Sequence, residues 1–558
     1  MLGMEENEMI RLTAARIGTA SLGVLALLLI QGCGGSDNGV PPTQPPTTVV
    51  VTSLEGPAQK NATLVGPQKC GECHGASTTA SRHKALWTKG RQATTTTVAS
   101  IVIPPLQPGT GPDAVAPDGQ PGVDEGDEYD NWLGTKHASV GVTCESCHGP
   151  GSVHVADQLA GTAFDPNNPD IIGFPNITSS LVCGQCHNGE ASKDLSEFSD
   201  WSQSAHRQMV DTVLQEGSKN PNVYVRTCFR CHNSLFRAEV VNRGVNPASL
   251  TTDQVTQFAQ LAAAQSSSND PLVLVSTVNC GVCHDPHRKT GKTINSDGDD
   301  DQVRRDLNIP PGDPETSKVG PGATVDQYTS FNQACGQCHN ARGADPSDAA
   351  LLKNTARPPM HDGPEYNMLV GMSGVETLGP PARRFGTHAQ TKQQCATCHM
   401  AGGATDLQSH TFTVKLDACA PCHTVSDAAA RRVATQDDIT NRLLAVESRL
   451  QTWAQAAGGD PNYWDYSGNG GASDQTQVPL AVQRARYNYY FVILDGSFGV
   501  HNGFYARYLL DVANHELDSV TPPTSATATA KFRTENLAQV RAQLLREASY
   551  NNFTGPIQ

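Results

Sequence analysis

The chain is short of positive charge, apolar runs, aromatic residues and methionine, and each shortage excludes something. Lysine and arginine number 40 against 55 aspartates and glutamates, a formal charge of −15. A surface this acidic repels polyphosphate, which excludes nucleic acid as a partner. Hydrophobic residues make up 37% and aromatics 6%, against 51 glycines and 36 prolines, so a large aliphatic core is not expected. The main apolar run, IGTASLGVLALLLI at 17–30, is about 14 residues long, where a membrane-spanning helix needs roughly 20. Beyond position 33 the methionines are Met209, Met360, Met368, Met372 and Met400. Unpaired cysteine is scarcest: of 17 cysteines, Cys33 alone lies outside a Cys-x-x-Cys pair.

Those pairs are where the chain is rich. They read CGECH (Cys70, Cys73, His74), CESCH (Cys144, Cys147, His148), CGQCH (Cys183, Cys186, His187), CFRCH (Cys228, Cys231, His232), CGVCH (Cys280, Cys283, His284), CGQCH (Cys335, Cys338, His339), CATCH (Cys395, Cys398, His399) and CAPCH (Cys419, Cys422, His423). A zinc site or a redox dithiol can contain Cys-x-x-Cys, but neither requires a histidine after the second cysteine every time. Cys-x-x-Cys-His is the attachment sequence for c-type haem: two thioether bonds to the porphyrin, and an imidazole on the iron. Eight matches predict eight covalently attached haem c groups. Each porphyrin offers a broad apolar face, so the expected fold is mainly α with extensive coil, cored on haem, with folding coupled to haem binding.

The N-terminus predicts export. Arg11 and Arg16 precede the apolar run, and QGCGG follows it, as in a bacterial lipoprotein signal whose cysteine, here Cys33, is lipidated. Glu5, Glu6 and Glu8 suit a positively charged leader badly, which makes Met9 a candidate start. The expected organisation is a signal peptide at 1–32, a Gly/Pro/Ser/Thr-rich tether at 33–65, an octahaem domain at 66–423 and C-terminal helices at 424–558. Polar stretches such as 157–180 and 289–330 read as coil. NSDGDDD from Asn295 has alternating acidic oxygens but lacks the glycine and glutamate of a calcium-binding EF-hand loop. After His423, periodicity predicts three helices, the middle one long and kinked at DGSFG.

Eight of the 18 histidines belong to the motifs. Of the others, His137 and His388 each stand seven residues before a motif cysteine, in TKHASVGVTC and GTHAQTKQQC. His137 and His206 each follow a tryptophan by five, His287 lies in CHDPH, His154 in CHGPGSVH and His410 in SHTF. With His83 and His361, these are the candidate second axial ligands. His154 stands six residues from His148, too close for both to straddle one porphyrin across a Gly/Pro-rich turn, so it is expected to serve a different haem. His515 reads as a polar helix residue.

At CESCHGPGSVH, CHDPH, CATCHM, SHTF and GSFGVHN, over about residues 66 to 517, the chain resembles the multihaem cytochromes c exported by metal-respiring bacteria. That broad class shares motifs with the pentahaem nitrite reductases and the octahaem hydroxylamine oxidoreductases. The resemblance implies that His501, in GVHN on a C-terminal helix, is a further distal ligand. It also implies electron transfer at the cell surface from a lipid anchor in the outer membrane, towards partner cytochromes or extracellular acceptors, with self-association into a filament as one arrangement. An iron with two histidines is coordinatively full, and histidine pairs give low potentials. The alternative is a reductase of nitrite, hydroxylamine or tetrathionate with one open iron. Many such enzymes mark that haem with Cys-x-x-Cys-Lys, which does not occur here.

Overall fold

The computed structural model describes residues 61–74, 128–162, 170–172, 179–189, 196–208, parts of 225–259 and 277–303, 333–402 with short gaps, 409–520 and 537–548. The leader with Cys33, the tether up to residue 60, His83, NSDGDDD and His361 lie outside the described residues. The described chain is helix and coil; among these residues there is no strand, and His284 and Val303 form one antiparallel bridge. None of the described helices is long and apolar enough to cross a membrane.

Cys-x-x-Cys-His folds as a single helical turn because that spacing demands it. Positions i, i+3 and i+4 of a helix share a face, so one turn aims two thiols and an imidazole the same way. The histidine N–H closes the turn on the first cysteine's carbonyl: His187 on Cys183 at 3.0 Å, His232 on Cys228 at 3.0 Å, His284 on Cys280 at 2.9 Å, His339 on Cys335 at 3.0 Å and His423 on Cys419 at 2.8 Å. Cys144–His148 and Cys395–His399 are short helices in their own right, and the first motif ends the helix Pro67–His74. Hydroxyls cap several of them. The Thr143 N–H donates to Ser146 Oγ at 3.0 Å, and Ser179 Oγ accepts from the Leu181 N–H at 3.2 Å, satisfying first-turn donors that the helix leaves open.

The C-terminal part departs from expectation in two ways. It holds four described helices rather than three: Val425–Gly458, Leu480–Leu494, Gly503–Asp518 and Leu537–Ala548. The expected kink at DGSFG is a full break. Gly496, Phe498 and Gly499 adopt φ of 69°, 51° and 90°, and a Cβ at Gly499 would lie 2.8 Å from Ile439 Cγ1, so glycine alone lets the loop seat on the first C-terminal helix. The second and third of these helices then pack against each other.

This bundle also builds the sizeable core that composition argued against. Ile439, Leu443, Val482, Phe491, Leu509 and Leu517 are buried together with Met360 and Met368 from the motif region, each contributing about 2 kcal/mol of burial. Average composition conceals this core because its apolar residues are concentrated after His423. A smaller cluster of Ile172, Leu181, Val182, Phe198 and Trp201 lies among the motifs. The expected coil at 157–180 begins four residues late, because the helix Ser152–Ala160 runs through His154 and stops at Gly161, which takes the left-handed conformation.

Candidate haem sites

Motif histidines meet non-motif histidines in pairs. His137 faces His187 with ring centres 6.2 Å apart, His148 faces His287 at 6.0 Å, His206 faces His339 at 6.1 Å, His284 faces His410 at 6.2 Å and His399 faces His501 at 6.3 Å. A metal–imidazole bond is roughly 2 Å, so a metal held between two imidazoles spaces their ring centres about 6 Å apart. Each pair joins one motif to one histidine distant in the chain. His137, seven residues ahead of the second motif, faces the histidine of the third; His287, three residues after the fifth motif, faces the histidine of the second.

In several of these rings the nitrogen that faces away from the gap is held. A backbone carbonyl only accepts, so the Ile172 carbonyl 2.9 Å from His148 Nδ1 and the Phe412 carbonyl 3.1 Å from His399 Nδ1 place a proton on each Nδ1. Nε2 then keeps its lone pair for a metal. Carboxylates do the same elsewhere: Glu197 lies 3.0 Å from His187 Nδ1, Asp495 2.7 Å from His501 Nδ1 and Asp427 3.3 Å from His423 Nδ1. Glu365 stands 3.4 Å from His339 Nδ1, and Glu128 3.8 Å from His74 Nδ1. A negative partner raises the basicity of the ligating nitrogen. Asp427 stands one helical turn after His423 in the chain; the other supports are brought in by folding.

Burial keeps several rings neutral. It pushes His206 down to about 3 and, together with the neighbouring His287, His148 down to about 4. Burial lowers His137 and His399 as well. At His339 burial acts downward too, but the Glu365 carboxylate outweighs it and raises the group to about 9. Neutral imidazole is the form that binds metal. Paired rings, oriented nitrogens and two thiols on the same helical face form a set of donors that fits haem c.

Not every candidate is in a pair. His154 stands on its helix with Nδ1 3.2 Å from Asp170 Oδ2. His388 is exposed, with Nδ1 2.8 Å from the Val500 carbonyl. His501, expected on a helix, sits in the turn before Gly503–Asp518. His515 is an exposed residue of that helix, as expected.

No family model matches the chain, and no curated protein does. Among solved structures it is similar to an undecahaem cytochrome from the S-layer of Carboxydothermus ferrireducens, at 19% identity and a TM-score of 0.41, over 68% of this chain and 50% of that one. It is also similar to the outer cell wall cytochrome OcwA, at 20% identity and a TM-score of 0.40, over 68% of this chain and 70% of that one. The chain thus spans half the length of the S-layer protein it matches.

Proposed function

We propose that this chain is an exported octahaem c-type cytochrome that passes electrons along a row of mostly bis-histidine haems. The observation that carries the reading is the set of five histidine pairs, each with ring centres 6.0 to 6.3 Å apart and each containing one motif histidine. Sixteen cysteines, Cys70 to Cys422, attach the porphyrins; the eight motif histidines are the proximal ligands; and His137, His206, His287, His410 and His501 fill the opposite positions. His83, His154, His361 and His388 are the candidates for the irons of the first, fourth and eighth motifs. Haem iron supplies the one-electron chemistry when bound. The chain contributes two imidazole nitrogens to most of the irons, holds the orientation of several through Nδ1, and keeps potentials low through carboxylates such as Glu197 and Asp495.

Lipidation at Cys33 would hold the protein at the outer membrane and cell surface, facing partner cytochromes or extracellular acceptors. The test of the reading is spectroelectrochemistry on the holoprotein: reversible titration over a wide low-potential range with most irons inert to carbon monoxide supports it. Irons that mostly bind carbon monoxide would refute it.

A further inference from the structure

Number the attachment sites by motif, from site 1 (Cys70–His74) to site 8 (Cys419–His423). Their order in space differs from their order in the chain. The Val65 and Gly66 N–H groups, just ahead of site 1, donate to the Glu145 carboxylate inside site 2 at 2.8 and 2.9 Å, and the two motif helices pack together. Cys147 of site 2 packs on the cluster containing Leu181 and Val182, from the helix that carries Cys183 of site 3.

Site 3 then meets site 5 rather than site 4. The Cys280 thiol lies 3.5 Å from Ser180 Oγ on the site 3 helix, and the helix Cys280–Cys283 packs on Ser180–Gly184. Trp201 Nε1, downstream of site 3, donates to the Val278 carbonyl just ahead of site 5 at 2.9 Å.

Phe412 joins the next three sites. Its ring stands edge-on to His206 at 4.6 Å and to His410 at 5.9 Å, the rings that face the motif histidines of sites 6 and 5. Its carbonyl accepts from His399 Nδ1 of site 7. Phe412 holds φ at 58° to do both, a conformation uncommon for a residue with a side chain. The helix Cys395–His399 of site 7 packs in turn on Leu416–Cys419 of site 8.

Site 4 is attached elsewhere. Arg237 Nη1 donates to the Arg230 carbonyl within site 4 at 2.9 Å and lies 3.9 Å from Cys338 Sγ of site 6. The Ser234 hydroxyl bonds the Thr277 carbonyl, three residues ahead of site 5, and the Thr277 hydroxyl bonds the carbonyl of His206 at 2.6 Å, whose ring faces the histidine of site 6.

We propose that seven of the eight sites form a single file in the order 1, 2, 3, 5, 6, 7, 8, with site 4 as a side branch on site 6. The two ends of the file are then sites 1 and 8, and an electron crossing the protein passes site 4 by. The proposal rests on the octahaem reading above, and one experiment separates the two: a cryo-electron microscopy map of the holoprotein. Eight porphyrins, with iron 5 next to iron 3 and iron 4 nearest iron 6, support the order. Eight porphyrins with iron 4 between irons 3 and 5 overturn the order and leave the octahaem reading intact, whereas fewer porphyrins overturn that reading itself.

Discussion

The imidazole rings of His148 and His287 stack with centres 6.0 Å apart and planes 12° from parallel, whereas those of His137 and His187 stand at 88°. Axial rings donate π density to the iron along directions set by their planes. Parallel rings split the two d orbitals concerned, and perpendicular rings leave them nearly degenerate. Site 2 should therefore give a rhombic low-spin electron paramagnetic resonance signal. Site 3, and site 6 with its rings at 72°, should give the strongly anisotropic kind with one large g value. A spectrum of the oxidised protein without both kinds would contradict this geometry.

His287→Ala should leave eight attached haems, because the thioether bonds do not depend on the distal ligand. It should open site 2 to carbon monoxide and raise that site's potential by on the order of 0.1 V, within the roughly 0.8 V that axial ligands span. His154→Ala should leave site 2 low-spin, since His287 already faces His148. Carbon monoxide titration of the two variants checks both statements.

Asp495 holds Nδ1 of His501 at 2.7 Å, and the pair formed by His399 and His501 is the gap of site 7. Asp495→Asn keeps an acceptor and removes the charge. The site should stay low-spin while its potential rises, because His501 becomes the weaker donor. An unchanged redox titration would mean that the carboxylate only packs.

The C-terminal bundle carries its own pH signature. Asp465 is buried, and burial pushes its carboxyl up to about 6, although Tyr490 donates to both of its oxygens. Because the folded-state value lies above the unfolded one, the proton contributes stability that is fully present below about pH 4 and is lost as pH rises through about 6. Asp465→Asn should flatten that slope and gain up to roughly 3 kcal/mol at pH 7, the free-energy equivalent of raising a carboxyl from about 4 to about 6. Guanidinium unfolding followed by circular dichroism between pH 4 and 7 measures it; parallel slopes in parent and variant would refute the assignment.

Cys33→Ser should release haem-bearing protein from washed membranes without loss of haem, since no motif uses that thiol. Variant protein that still sediments with membranes would exclude lipid anchoring at Cys33.

The local part of each site was legible in the sequence. Cys-x-x-Cys-His is one helical turn by its spacing, and the recurrent placement of His137, His206, His287 and His410 marked them before any fold was known. What could not be read was which ring faces which, because pairs such as His148 with His287 depend on long-range packing that no periodicity encodes. The supporting groups were hidden for the same reason: the Ile172 and Phe412 carbonyls are backbone atoms that any residue could supply. The break at Asp495–Asn502 was misread as a kink because helical periodicity continues on both sides of it, and only the close approach of Gly499 to Ile439 explains the reversal.

The central claim, a row of mostly bis-histidine irons, is tested most directly by counting spin states per chain. Mass spectrometry gives the number of attached haems, and near-infrared magnetic circular dichroism of the oxidised protein gives the number of low-spin irons with two histidines. The result expected is eight haems, of which at least the five at sites 2, 3, 5, 6 and 7 carry the bis-histidine band. A majority of high-spin irons, or a bis-histidine count below five, would contradict it.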